Sequence, residues 1–273
     1  MASQGCKSII GSTLVMKLIA LPAFTDNYIW MLHDGRQALV VDPGDAAPVN
    51  EALQTLRLDL TAILVTHHHA DHVGGLAAWQ DRGIPVHGPA DERIHGITHP
   101  VAEGDVADWN GLRFAVMDTP GHTRLHTTYL LPQGLGESDP HPHLFCGDTL
   151  FSAGCGRVFD GTFDQLYDSL MRLASLPDDT RICATHEYTL SNLRFARAVE
   201  PRNPDMGRHQ AHCEALRARQ LPTLPSTLRT ERRINPFLRC NQSDVVASAL
   251  AHGARDADPR SVFVALRQWK NQF

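Results

Sequence analysis

The chain has 273 residues, 42% hydrophobic and 20% charged, with 20 Gly and 17 Pro, which excludes disordered, collagen-like and low-complexity classes. At ~150 residues per domain, that length suits one large domain or two unequal ones. A formal charge of −5 offers no basic surface to a phosphate backbone, and no apolar run reaches the ~18 residues that span a bilayer, so neither nucleic acid nor membrane is expected as a partner.

Lys7 followed by Ile9, Ile10, Leu14 and Val15 faintly imitates a secretory signal, but Lys17 interrupts the apolar stretch and no small-residue cleavage site follows. Residues 1–15 are expected to be a disordered extension, with the domain opening at Met16. The six cysteines are irregularly spaced and form no C-x-x-C pair, which reads as reduced thiols in a cytoplasmic protein. A monomer is expected.

Apolar, β-branched runs predict strands over 29–32, 38–41, 62–65, 114–117, 128–131, 143–146 and 181–184. Helical patterns lie between some of them, over 48–56, 75–82 and 163–176, the last with Phe163, Leu166, Leu170 and Leu173 on one face. Beyond about residue 190 the strand-like runs stop, and helices are predicted over 190–199, 204–220, 243–251 and 259–269. Asp258 caps the last and Pro259 suits its first position. The reading is α+β: a β-rich layered domain over 16–188 and a small helical domain over 189–273.

The strongest chemical signal is Thr66-His67-His68-His69-Ala70-Asp71-His72, directly after Ile63-Leu64-Val65. Alternate side chains of an extended segment share a face, so His67 and His69 can converge while His68 points away. Imidazole and carboxylate at this density suit Zn²⁺ or a similar first-row ion far better than they suit a merely solvated loop. Further candidates also stand just after predicted strands: His122 in Thr119-Pro120-Gly121-His122-Thr123, Asp148 in Gly147-Asp148-Thr149, and His186 in Thr185-His186-Glu187. Each is weak alone, but their shared position places them at one edge of a rigid scaffold, where functional loops gather. Two ions would use all seven: His67, His69 and His122 on the first, Asp71, His72 and His186 on the second, and Asp148 between them.

At these residues the sequence resembles the metallo-β-lactamase superfamily, through T-H-H-H-A-D-H, T-P-G-H-T and G-D-T. Within it the chain is similar to the glyoxalase II (hydroxyacylglutathione hydrolase) family from about Met16 to Phe273. Phe24-Thr25-Asp26-Asn27-Tyr28, Gly147-Asp148-Thr149-Leu150-Phe151, Gly154-Cys155-Gly156-Arg157, His186-Glu187-Tyr188-Thr189 and the terminal Leu266-Arg267-Gln268-Trp269-Lys270 narrow the match. The resemblance implies an αββα sandwich with a C-terminal all-helical domain. It also implies two divalent ions, Zn²⁺ first with Fe or Mn acceptable, and hydrolysis of S-D-lactoylglutathione to glutathione and D-lactate, the second step of methylglyoxal degradation. Asp71 would orient the attacking hydroxide.

The family's glutathione-binding positions fall on Arg157, Phe159, Tyr188, Arg267 and Lys270. Arg157 and Phe159 replace the Lys and Tyr of the eukaryotic pattern and match the bacterial one, and Leu125 stands where glycine is common. The chemistry agrees, because glutathione's two carboxylates call for fixed cations, and Arg267 and Lys270 share a helical face. A mononuclear iron persulfide dioxygenase of the same superfamily is the alternative. The remaining histidines read as surface or loop groups, His126 standing nearest to a supporting role, and Cys146 and Cys155 read as buried packing residues.

Overall fold

The computed structural model describes residues 16–273, and the extension expected over 1–15 lies outside the described residues. Strands β1 (Lys17–Ala23), β2 (Asn27–His33) and β3 (Gln37–Val41) lead to helix α1 (Ala46–Leu56) and strand β4 (Asp59–Leu64). A one-turn helix α2 (Ala70–Val73) and a 3₁₀ helix (Leu76–Arg82) precede β5 (Val86–Pro89) and β6 (His99–Val101). These six strands form one sheet in chain order, antiparallel from β1 to β3 and parallel from β3 to β6.

The second sheet begins as an antiparallel meander of β7 (Val106–Trp109), β8 (Leu112–Asp118), β9 (Thr127–Leu131) and β10 (His143–Gly147). A short ribbon, β11 (Leu150–Phe151) and β12 (Gly154–Cys155), leads to α3 (Phe163–Leu173) and then to β13 (Arg181–Ala184), which lies parallel to β10. Helices α4 (Thr189–Val199) and α5 (Pro204–Ala218) follow, then β14 (Ser226–Thr227), α6 (Leu228–Ile234), α7 (Ser243–Ala251) and α8 (Pro259–Gln272). The second sheet runs β14-β13-β10-β9-β8-β7.

The apolar runs are near-continuous because the inner strands are covered on both faces. In β2, Tyr28, Trp30 and Leu32 enter the core between the sheets with Phe114, Tyr129 and Phe145. The alternate Ile29 and Met31 pack with Val49, Leu53, Leu76 and Trp79 of α1 and the 3₁₀ helix. Beyond the second sheet, α3 presents Leu166, Leu170 and Leu173, its start fixed by a capping box between Thr162 and Gln165. Layering is therefore helix, sheet, sheet, helix.

Three expectations change. The helical pattern over 75–82 takes 3₁₀ form over 76–82, and α3 stops at Leu173, short of residue 176. Strand pairing also continues beyond residue 190, since β14 joins β13 antiparallel through Ile182 and Ser226. A two-residue strand has no periodicity to reveal it; the open edge of β13 recruits it. The helical part shares the main core, where Phe195, Phe237 and Phe263 are fully buried with ring centroids 6.0 and 5.7 Å apart. Burial of each such side chain contributes about 1.5–3 kcal/mol.

Candidate metal centre and its cavity

The donors stand where strands of both sheets end. Beyond β4, His69 stands in extended conformation at the N-terminal boundary of α2, and the single turn that follows carries Asp71 and His72. His122 follows β8, Asp148 follows β10 and His186 follows β13. The β1–β2 turn reaches across to the second sheet here: Asn27 bridges to His186, and Glu187 N–H donates to the Asp26 carbonyl.

Two donor groups result, His67, His69, His122 and Asp148 in one and Asp71, His72 and His186 in the other. Nε2 of His67 and Nε2 of His122 lie 3.0 and 3.1 Å from Nδ1 of His69. A tetrahedral ion with bonds of ~2.0–2.1 Å needs ligand atoms about 3.3 Å apart, close to this spacing. Asp148 serves both groups: Oδ2 is 3.5 Å from His122 Nε2, while Oδ1 is 3.4 Å from Nε2 of both His72 and His186. Asp71 Oδ2 lies 3.4 Å from His186 Nε2 and 3.7 Å from His72 Nε2. His68 turns out of the cluster toward Asp91 at 3.6 Å, as alternation requires.

Outer hydrogen bonds aim lone pairs inward. Thr66 Oγ1 donates its one proton to Asp42 Oδ2 at 2.8 Å, so it accepts from His67 Nδ1 at 3.0 Å and leaves His67 Nε2 bare. His122 Nδ1 donates to the Arg157 carbonyl at 2.8 Å, and His186 Nδ1 to Asp26 Oδ1 at 2.9 Å. Asp42 Oδ2 also faces His72 Nδ1 at 3.0 Å. These are the carboxylate and carbonyl partners that fix a histidine's tautomer for a metal. Buried His72 Nε2 and Asp148 Oδ1 have no hydrogen-bond partner of their own, the condition a cation relieves.

Electrostatics divide the groups. Burial, reinforced by neighbouring histidines, holds His67 well below the usual imidazole range and brings His69 down to about 4, so both are neutral. Burial opposes charge on His72 as well, but Asp148 and Asp42 override it and push His72 well up. Against the same burial, His72 and His186 hold the Asp148 carboxyl well below the carboxylate range. His72 and His186 of the second group thus favour positive charge, while the three histidines of the first are uncharged donors beside the ionised Asp148.

His126, read from sequence as a loop histidine nearest to a supporting role, is 2% exposed and built into the centre. Its Nε2 accepts the Asp148 N–H at 3.2 Å, and its ring stacks on His67 at 4.9 Å between centroids. Gly147 makes room for it: φ is +48°, and a Cβ there would meet Thr66 Oγ1 at 2.5 Å and His126 Nε2 at 2.9 Å. Asp42 was missed entirely, although its position straight after an apolar strand is the signal that found His122, Asp148 and His186.

A cavity of about 470 Å³ adjoins the donors and is lined by His69, Asp71, His122, Asp148 and His186. All five expected glutathione positions, Arg157, Phe159, Tyr188, Arg267 and Lys270, line it too. Tyr188 stacks on His186 at 4.6 Å, and Phe159 sets its edge to His69 and His122 at 4.9 and 5.2 Å. Burial, then the neighbouring Arg267, Arg157 and Arg194, brings the Lys270 ammonium down to about 8. Cys155 lines the cavity as well, but burial pushes its thiol up and away from thiolate.

A two-sheet sandwich whose strand ends converge histidines and aspartates on a shared carboxylate defines the class: residues 23–186 match the model of the metallo-beta-lactamase superfamily. Residues 187–273 match that described as the hydroxyacylglutathione hydrolase C-terminus. A hydroxyacylglutathione hydrolase of Albidiferax ferrireducens is 55% identical over 94% of this chain and 100% of its own length. One of Cupriavidus taiwanensis is 51% identical over 95% and 100%. The crystal structure of ETHE1 from Myxococcus xanthus is similar at a TM-score of 0.63 and 25% identity, covering 94% of this chain and 91% of that one. The chain belongs to the hydroxyacylglutathione hydrolase family, and its His/Asp cluster is a divalent-metal site.

Proposed function

We propose that the protein hydrolyses the thioester of S-(2-hydroxyacyl)glutathione, with S-D-lactoylglutathione as the leading substrate, to glutathione and D-lactate. One observation carries this reading: a single cavity joins a metal-binding donor set to Arg157, Arg267 and Lys270. His67, His69 and His122 are assigned to one ion, Asp71, His72 and His186 to a second, and Asp148 to both. Zn²⁺ suits the nitrogen-rich set, and Fe or Mn fits the same donors.

When bound, such ions supply Lewis acidity that lowers the pKa of water and polarises a carbonyl. The chain does the rest. Asp71, fixed by the Asn27 amide at 2.9 Å, orients the attacking water by accepting its hydrogen bond. Arg157, Arg267 and Lys270 neutralise the carboxylates of the glutathione moiety, and Arg and Lys are the side chains suited to that task. Burial raises the Tyr188 pKa, so the phenol keeps its proton and acts as a donor. Phe159 and Phe151 supply apolar wall. The leaving thiol has a pKa of about 8.5 and departs as thiolate without a general acid.

The dioxygenase alternative needs one ion, whereas the two oxygens of Asp148 face separate donor groups, which favours hydrolysis. We further assign residues 16–188 to a catalytic unit and 189–273 to a substrate-binding unit, in a cytoplasmic monomer. Among the described residues, five free, buried cysteines support a reducing compartment. No helix among the described residues is long and apolar enough to cross a membrane. The test is thiol release from S-D-lactoylglutathione with metals counted on the same sample. Turnover with about two ions per chain is expected; one iron with oxygen consumption would favour the dioxygenase, and two ions without turnover would overturn the substrate.

A further inference from the structure

Among the described residues, Arg267 is the largest fully buried side chain, 2% exposed although it lines the cavity. Its Nη1 is committed to the chain: it donates to the Cys155 carbonyl at 2.9 Å and the Gly156 carbonyl at 3.4 Å. The segment so anchored holds a metal ligand twice. The Arg157 carbonyl accepts from His122 Nδ1 at 2.8 Å, and Phe159 N–H donates to the His122 carbonyl at 2.9 Å. Gly156 lets the segment press against the centre, since a Cβ there would collide with the Asp148 carbonyl and stand 2.9 Å from His122 Nδ1. The same few residues expose Arg157 and Phe159 to the cavity.

We propose that Arg267 is a positioning residue: through the backbone of residues 155–159 it sets the orientation of His122, and so links occupancy of the glutathione site to the geometry of the metal centre. This rests on the functional reading above but differs from it in kind. A residue that only binds a substrate carboxylate affects affinity for substrate; one that holds His122 through a carbonyl also affects the metal. Lysine keeps the charge but replaces the rigid planar guanidinium, whose Nη1 meets both carbonyls, with a flexible ammonium, so it tests geometry and not charge.

The experiment compares wild type, Arg267→Lys and Lys270→Ala, each loaded with Co²⁺, by visible absorption, metal stoichiometry, thermal unfolding, and kcat and KM on S-D-lactoylglutathione. Arg267→Lys should fold, show an altered cobalt spectrum and bind metal about 10–100-fold more weakly, the range for loss of a ligand's outer support. Its kcat should fall more than its KM rises. Lys270→Ala should keep the wild-type spectrum. A wild-type spectrum and metal affinity in Arg267→Lys, with only KM or melting temperature changed, would overturn the proposal. Because the spectrum is read without substrate, an enzyme inactive on this thioester would defeat the functional reading and leave the link measurable. If Arg267→Lys does not fold, hydrogen exchange on the wild-type holoprotein with S-methylglutathione decides: the Phe159 amide should gain protection, and unchanged exchange there counts against the link.

Discussion

The donor part and the cation part of the cavity are built by opposite rules. Four of the seven candidate metal donors come from one six-residue stretch, and His67, His122 and His186 are each held in one tautomer by a neighbour. The cations come from two distant segments, and they crowd one another: Lys270 is lowered to about 8 by burial and then by Arg267, Arg157 and Arg194. Lone pairs converge in one part and positive charges in the other. Each arrangement is unfavourable alone and is relieved by a partner of opposite character, divalent ions in the first and an anionic ligand in the second.

The largest expected effect breaks the donor part. Asp148→Ala removes the one carboxylate both groups share, and should lose at least one equivalent of metal and more than about 100-fold in kcat, beyond what an outer-support residue accounts for. Retention of both ions, by elemental analysis, would show the bridging assignment wrong. His126→Ala withdraws the acceptor for the Asp148 amide and the ring stacked on His67, and should lower metal affinity or kcat by about 10–100-fold. In the cation part, Lys270→Ala should raise KM by about tenfold while kcat changes less, because a charge-assisted hydrogen bond to a remote carboxylate is worth ~1.5–3 kcal/mol. Equal loss in kcat and kcat/KM would count against that role.

A pH series sharpens the same contrast. The Lys270 ammonium is present below its pKa of about 8 and is lost as pH rises through it, so KM should climb above that pH. Lys270→Arg, which stays charged, should flatten the rise, and an unchanged profile would assign it to another group. The smallest effect is remote from both parts. Asp258 caps α8 by accepting from the Arg260 and Ser261 amides, and Asp258→Ala should cost about 1 kcal/mol in unfolding free energy with metal content unchanged.

The contrast also explains what could be read from sequence. His67, His69, Asp71 and His72 are legible because alternation and one helical turn bring them together over a few residues. His122, Asp148 and His186 were legible only through a shared rule, the position after a strand. Arg157 and Phe159, by contrast, stand out from no local pattern and were found by resemblance. Asp42 escaped, and His126 showed only as a candidate support, because their work is done through another residue and spacing does not reveal a hydrogen bond across the fold. Among the elements, β1 and β6 carry Pro22 and Pro100, which argue against a strand until an edge position is known.

The pairing of β14 with β13 bears on how the protein is made. β13 delivers His186, yet its outer neighbour is encoded much later in the chain, at Ser226–Thr227. A nascent chain therefore presents the donor-bearing strands with a bare sheet edge until translation supplies the cover. Release of a chain truncated after residue 188 would make that interval permanent. The tail is thus a late closure of the second sheet, whose β13 edge is covered only once residues 226–227 are in place.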